Sequence, residues 1–79
     1  MKLQLRYFAS LGDAAGRAEE MLDSSAISPR ALYAELVQRH GFRLPPDKLR
    51  VAVNGAFASW DQSLHEGDEV VFLPPVSGG

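Results

Sequence analysis

One stretch of this 79-residue chain carries both a helix start and a helix stop, and the rest of the fold has to be arranged around it. Ser28 can cap the free N–H groups of a first turn, and Pro29 suits the first helical position, where no N–H is needed. The helix then runs to about Gly41, with Leu32, Tyr33, Leu36 and Val37 forming an apolar stripe at i, i+1, i+4, i+5 spacing. Arg39 and His40 fall in the last turn, where positive charge complements the dipole, and Gly41 suits a left-handed stop.

The segments on either side read as strands. Lys2 to Phe8 alternates strictly, which puts Leu3, Leu5 and Tyr7 on one face, the core face. Leu11 to Arg17 reads as a short helical turn or loop and Ala18 to Asp23 as a second strand. After the Pro45-Pro46 break, Leu49, Val51 and Val53 alternate with Arg50, Ala52 and Asn54, giving a half-buried strand that ends in an Asn54-Gly55 hairpin turn. Its partner is expected from Ala56 to about Trp60; Glu66-Gly67-Asp68 makes a further turn, and Glu69 to Leu73 forms the last strand. Two strands, the helix, and then a hairpin plus a final strand make an α+β fold in which one mixed sheet wraps a single main helix.

Length and composition narrow the class. A chain this short has room for one domain and buries only about 60 to 65% of the surface it exposes when unfolded. With 46% hydrophobic and 23% charged residues it can still build its own core. There is no cysteine, hence no disulfide, thiolate metal site or thiol nucleophile. No apolar run approaches the roughly 18 residues of a membrane span, and no signal-peptide pattern is present, so no membrane partner and a cytoplasmic location are expected. A net charge of −2 with scattered basic residues argues against a nucleic-acid partner. His40 and His65 are far apart in sequence and lack a companion motif, so no metal site is expected. No catalytic triad or phosphate-binding loop is visible, and the chain alone is not expected to be an enzyme.

The end of the chain is the chemically informative part. Pro74 and Pro75 cannot donate to a sheet ladder, so the domain is expected over residues 1–74 and a flexible tail over 75–79. In that tail Pro75, Val76, Ser77 and Gly78 lead to Gly79, and residues beyond Pro75 are expected to be mobile in the free chain. Two terminal glycines can enter a narrow channel in a partner and leave the terminal carboxylate unshielded. That carboxylate is a poor electrophile until converted to a mixed anhydride, for example an acyl-adenylate made from ATP. A sulfur nucleophile can then displace AMP, leaving a thiocarboxylate.

Three stretches together carry a family resemblance: Leu49-Arg50-Val51-Ala52-Val53-Asn54-Gly55, Leu64-His65-Glu66-Gly67-Asp68-Glu69-Val70, and Phe72-Leu73-Pro74-Pro75-Val76-Ser77-Gly78-Gly79. With Arg6-Tyr7-Phe8-Ala9 and the Ser28-Pro29 helix start, the chain resembles the small subunit of molybdopterin synthase, the MoaD family, over nearly its whole length. The resemblance implies a ubiquitin-like β-grasp fold and a sulfur carrier for molybdenum cofactor biosynthesis. An adenylyltransferase related to ubiquitin-activating enzymes would use ATP to adenylate Gly79, which would then become a thiocarboxylate. This chain would bind no cofactor; the sulfur would be held covalently on Gly79. It would deliver that sulfur inside the large synthase subunit to cyclic pyranopterin monophosphate, twice per product, and the two subunits would form a heterotetramer. The alternative is a related carrier for thiamine thiazole synthesis or tRNA thiolation; those families share the Gly-Gly end but do not usually have Pro-Pro-Val-Ser. A plain interaction module with an unmodified tail is the third alternative.

Alternation also predicts a docking surface. If Val70 and Phe72 face inward, Val71 and Leu73 face outward, as does Phe8 if Tyr7 faces inward. Phe8, Phe57, Val71 and Leu73 are then candidates for an apolar patch near the tail, unless loops of the same domain cover Phe8 and Phe57. Glu66, Asp68 and Glu69 are candidates for electrostatic docking, with turn formation as the competing role. Where the family commonly has Leu-Arg-Glu after the first strand, this chain has Leu11-Gly12-Asp13, so an arginine contact there is not carried over. Trp60 and Asp61 are expected to end the hairpin and begin a loop, with no function assigned.

Overall fold

The computed structural model describes residues 1–74. The expectations for Pro75, Val76, Ser77, Gly78 and Gly79 lie outside the described residues. Strand β1 (Lys2–Tyr7) follows the predicted alternation, with Leu3, Leu5 and Tyr7 buried. A turn and a short helix α1 (Ser10–Ala15) lead to β2 (Glu19–Asp23), which pairs antiparallel with β1 in the register Leu3↔Leu22. The long helix α2 (Pro29–His40) begins as its sequence dictates: the Ser28 hydroxyl oxygen accepts from the Ala31 N–H at 3.2 Å, and Pro29 opens the first turn. It ends at Gly41 with φ of 72°, whose N–H donates to the Val37 carbonyl.

Strands β3 (Arg50–Val53), β4 (Ala56–Ala58) and β5 (Glu69–Leu73) complete a five-stranded sheet in the order β2-β1-β5-β3-β4. The first and last strands lie side by side at its centre and are its one parallel pair among the described residues, Leu5 beside Val70 and Tyr7 beside Phe72. Leu32, Tyr33 and Leu36 of α2 pack with Leu3, Leu5, Val51, Val53, Val70 and Phe72 in a single core. Phe72 lies at its middle, 5.2 Å from the Tyr33 ring. Among the described residues no helix is long and apolar enough to cross a membrane.

Of the two readings of Leu11–Arg17 the helical one holds, with Gly16 closing α1 at φ of 75°. Three details differ from expectation. Leu49 is buried but precedes β3, because Pro46–Lys48 form a 3-10 turn whose last bond is the Leu49 N–H to the Pro46 carbonyl. The hairpin partner stops at Ala58 rather than near Trp60, since Ser59 accepts from Asp61 and Gln62 N–H groups and bends the chain away. Trp60 then folds onto the core, stacked on Phe72 at 5.7 Å and edge-on to Tyr33 at 5.9 Å, while Asp61 pairs with Arg30 at 3.0 Å.

Candidate functional site

The outer face of the sheet follows from the inner one. With Val70 and Phe72 turned into the core, the ladder sets Val71 between Arg6 and Ala52, with Phe57 beyond Ala52, and sets Leu73 opposite Arg50. Phe8 follows β1 directly and joins this row from the other side. Phe8, Ala52, Gly55, Phe57, Val71 and Leu73 together line a shallow depression of about 250 Å³. Phe8 and Phe57 stand 47% and 69% exposed, so no loop of the described residues caps them. Val71 differs from the expected projecting contact: it faces outward but is only 9% exposed and forms the floor of the depression.

Phe8 is held by an unusual backbone. The Leu11 N–H donates to the Phe8 carbonyl at 3.1 Å, closing a tight turn in which Ala9 has φ of 52° and ψ of −129°. That conformation is ordinarily a glycine's, and in alanine it stores strain on the order of 1–3 kcal/mol. Gly12 follows in α1, where an added Cβ would lie 3.4 Å from the Tyr7 carbonyl oxygen, so α1 is packed close against the end of β1.

On the core side of the sheet Tyr7 enters a polar network that sequence reasoning missed. The Tyr7 hydroxyl donates to Glu20 Oε2 at 2.6 Å, and His40 Nε2 lies 2.9 Å from the same oxygen. Glu20 is thereby shared by β1, β2 and the last turn of α2, with Arg17 Nη1 at 3.8 Å from its other oxygen. Burial favours the neutral acid, but the hydrogen bonds from Tyr7 and His40, with the charges of His40 and Arg17, outweigh it and hold the carboxyl below the usual carboxylate range. The Tyr7 hydroxyl is pushed well above its ordinary value, by burial first and by the Glu20 carboxylate second.

The acidic candidates sit at the other end of β5 from Leu73, roughly 13 Å along the strand. All three have partners within the domain. Both Glu66 carboxylate oxygens accept from the Lys2 N–H, at 3.1 and 3.0 Å. Asp68 accepts from the Asn54 side-chain amide and from the His65 N–H, each at 2.9 Å; the Asn54 bond is the chief reason its carboxyl lies below the usual range. Glu69 lies 3.4 Å from Arg6, and its N–H donates to the Asn54 side-chain oxygen. The structure therefore brings the four apolar candidates together and keeps the acids apart from them. Among the described residues no group of three or more His, Asp or Glu is arranged to hold a metal ion.

A mixed five-stranded sheet wrapped over one main helix, with its first and last strands parallel at the centre and the chain leaving from the central strand, defines a ubiquitin-like β-grasp protein. The chain belongs to the ThiS family, whose model matches residues 5–79. It is 49% identical over 41 residues, 52% of this chain, to the molybdopterin synthase sulfur carrier subunit of Escherichia coli (strain K12), a match that spans about half (51%) of that relative. The subunit of the same name from Haemophilus influenzae is 29% identical over 98% of this chain and 99% of its own length. Among solved structures, SAMP1 from Haloferax volcanii superposes with a TM-score of 0.82 at 27% identity, covering 100% of both chains. A putative molybdopterin converting factor subunit 1 from Pyrococcus furiosus gives 0.79 at 32% identity, covering 96% of this chain and 99% of that one.

Proposed function

We propose that this chain is the sulfur carrier subunit of a molybdopterin synthase, its chemistry confined to the Gly79 carboxylate. An adenylyltransferase joins that carboxylate to ATP, releasing pyrophosphate; a sulfur donor then displaces AMP and leaves a thiocarboxylate. The tail Pro75-Val76-Ser77-Gly78-Gly79 enters the large synthase subunit, where the sulfur is transferred to cyclic pyranopterin monophosphate in two rounds. The carrier supplies the acyl group, its placement and the docking face, and its partner supplies the catalytic side chains.

One observation carries this reading beyond the family match. The central strand β5 ends at Leu73, which lines the exposed apolar depression together with Phe8 and Phe57, so the chain leaves the sheet at a face suited to a partner. A second reading, a protein modifier, draws on the likeness to a small archaeal modifier protein. In that reading an amine of another protein, rather than sulfur, attacks the same activated acyl group.

The test is an N-terminally tagged chain expressed in its native host, with captured partners and the intact carboxy-terminal mass read by mass spectrometry. Recovery of a molybdopterin synthase large subunit, with part of the chain shifted by the oxygen-to-sulfur mass difference, is the expected result. Capture of a thiazole synthase or a tRNA-thiolation enzyme moves the chain to those pathways, and covalent adducts on other proteins select the modifier reading. Restoration of cofactor synthesis in a carrier-deletion strain by a variant lacking Gly79 overturns the carrier mechanism altogether.

A further inference from the structure

A second cavity, of about 450 Å³, adjoins the apolar depression and shares Phe57 and Leu73 with it. Its apolar walls are Leu49, Phe57, Leu73 and Pro74, and its charged groups are Lys48, Arg50 and Asp47. The Arg50 guanidinium carbon lies over the Phe57 ring, 5.5 Å from its centre, which sets the planar group on the apolar wall; among the described residues no acceptor engages its N–H donors. Arg6, Arg17 and Arg30 each have a carboxylate neighbour; among the described residues Arg50 and Lys48 have none, as is also true of Arg39, Arg43 and Lys2, and what sets Arg50 and Lys48 apart is that both line one cavity with apolar walls.

The charge here runs against that of the molecule. The chain carries a net −2, yet this cavity sets two cations against the single carboxylate of Asp47. Glu66, Asp68 and Glu69 lie at the far end of β5, engaged with Lys2, Asn54 and Arg6. A stacked arginine with free donors is suited to a bidentate carboxylate contact, and apolar walls beside it suit a neighbouring aliphatic or aromatic side chain.

We propose that this cavity extends the docking face at the root of the tail and receives an acidic segment of the partner, with an apolar side chain against Phe57 and Leu73 and a carboxylate on Arg50, assisted by Lys48. The inference rests on the docking reading above and adds the chemistry of the partner's contacting segment. Arg50 is a positioning residue in it, with no part in sulfur chemistry.

The experiment measures binding of the full chain to the purified large synthase subunit of the same host, at low and at physiological salt. The variants are Arg50→Glu, Asp47→Lys and Phe8→Ser, each checked for folding by its thermal melt. Arg50→Glu replaces an attraction at the rim by a repulsion and should weaken binding about tenfold at low salt, with a smaller loss at high salt. Asp47→Lys should tighten binding and steepen its salt dependence, which keeps the test decisive if Arg50→Glu proves unstable. If Phe8→Ser weakens binding while both charge variants leave affinity and salt slope unchanged, the acidic-segment inference is overturned and the docking reading stands. If none of the three alters binding, the docking reading itself fails.

Discussion

Replacing Glu20 by Gln tests whether the polar network it shares with Tyr7 and His40 works through its charge. In the native protein one carboxylate oxygen accepts from Tyr7 at 2.6 Å and is met by His40 at 2.9 Å, and the Glu20 side chain is only 9% exposed. Gln preserves the volume and an acceptor oxygen but turns two charge-assisted contacts into neutral ones, at a cost of about 1 kcal/mol each. A total near 2 kcal/mol in a domain this small lowers the melting temperature by roughly 10 °C. The sign of the pH dependence follows from the depressed folded-state carboxyl. Such a group contributes stability that is present above its unfolded pKa and is lost as pH falls through the lower folded value. The gap between native and Glu20→Gln stability should therefore be full at pH 7 and shrink as the solution is acidified below the ordinary carboxylate range. Urea titrations of both proteins from neutral to strongly acid pH measure it. A gap that is constant with pH, or a Gln variant more stable than the native chain at pH 7, would show that desolvation cancels the ionic contacts and would refute the reasoning.

Three other substitutions follow from single features. Ala9→Gly should raise stability by about 1 kcal/mol in thermal melts, because the relief of positive-φ strain exceeds the roughly 0.5–1 kcal/mol of extra unfolded-state entropy that glycine brings. Asn54→Ala removes both the amide donor to Asp68 and the acceptor for the Glu69 N–H, at a residue with φ of 52°, and should cost about 2 kcal/mol in urea titrations. Ser28→Ala removes the cap that accepts from Ala31 and should cost about 1 kcal/mol, read from the same titrations.

The elements legible in the sequence were those whose signals are local. Period-two alternation in Leu3-Leu5-Tyr7 and in Val70-Phe72 assigns both faces of the two central strands, and Ser28-Pro29 with Gly41 brackets α2, because capping and left-handed stops are decided within a few residues. The apolar patch followed by elimination from the same alternation. What escaped depends on residues far apart in the chain. Glu20 meets partners 13 and 20 positions away, so its burial and its role exist only once β1, β2 and α2 have assembled. Trp60 was expected to end the hairpin strand, but the chain turns at Ser59, and only the closed hairpin lays its ring on Phe72. Arg50 was read correctly as outward, but its stacking on Phe57 requires the Ala52↔Phe57 register of the hairpin.

The position of β5 bears on how a carrier can work from its own terminus. A tail that docks in a partner transmits pull to the strand from which it leaves. Here that strand is central, bonded to β1 on one side and β3 on the other, and Val70 and Phe72 are fully buried. Loosening it would break two ladders and expose the middle of the core, so it belongs to the most stable part of the domain, whereas the three-residue edge strand β4, with no buried residue, can fray at smaller cost. Pro74 has no N–H to extend the ladder, so the anchored segment ends at a defined residue rather than fading into the tail. A fixed root limits the entropy lost on docking, because the strand that carries it is already ordered. It also sets the reach of the reactive end relative to Phe8, Phe57 and Arg50, which lie around that root. In the proposed function the apolar patch would set where the partner sits, and the central strand sets where the chain leaves the sheet.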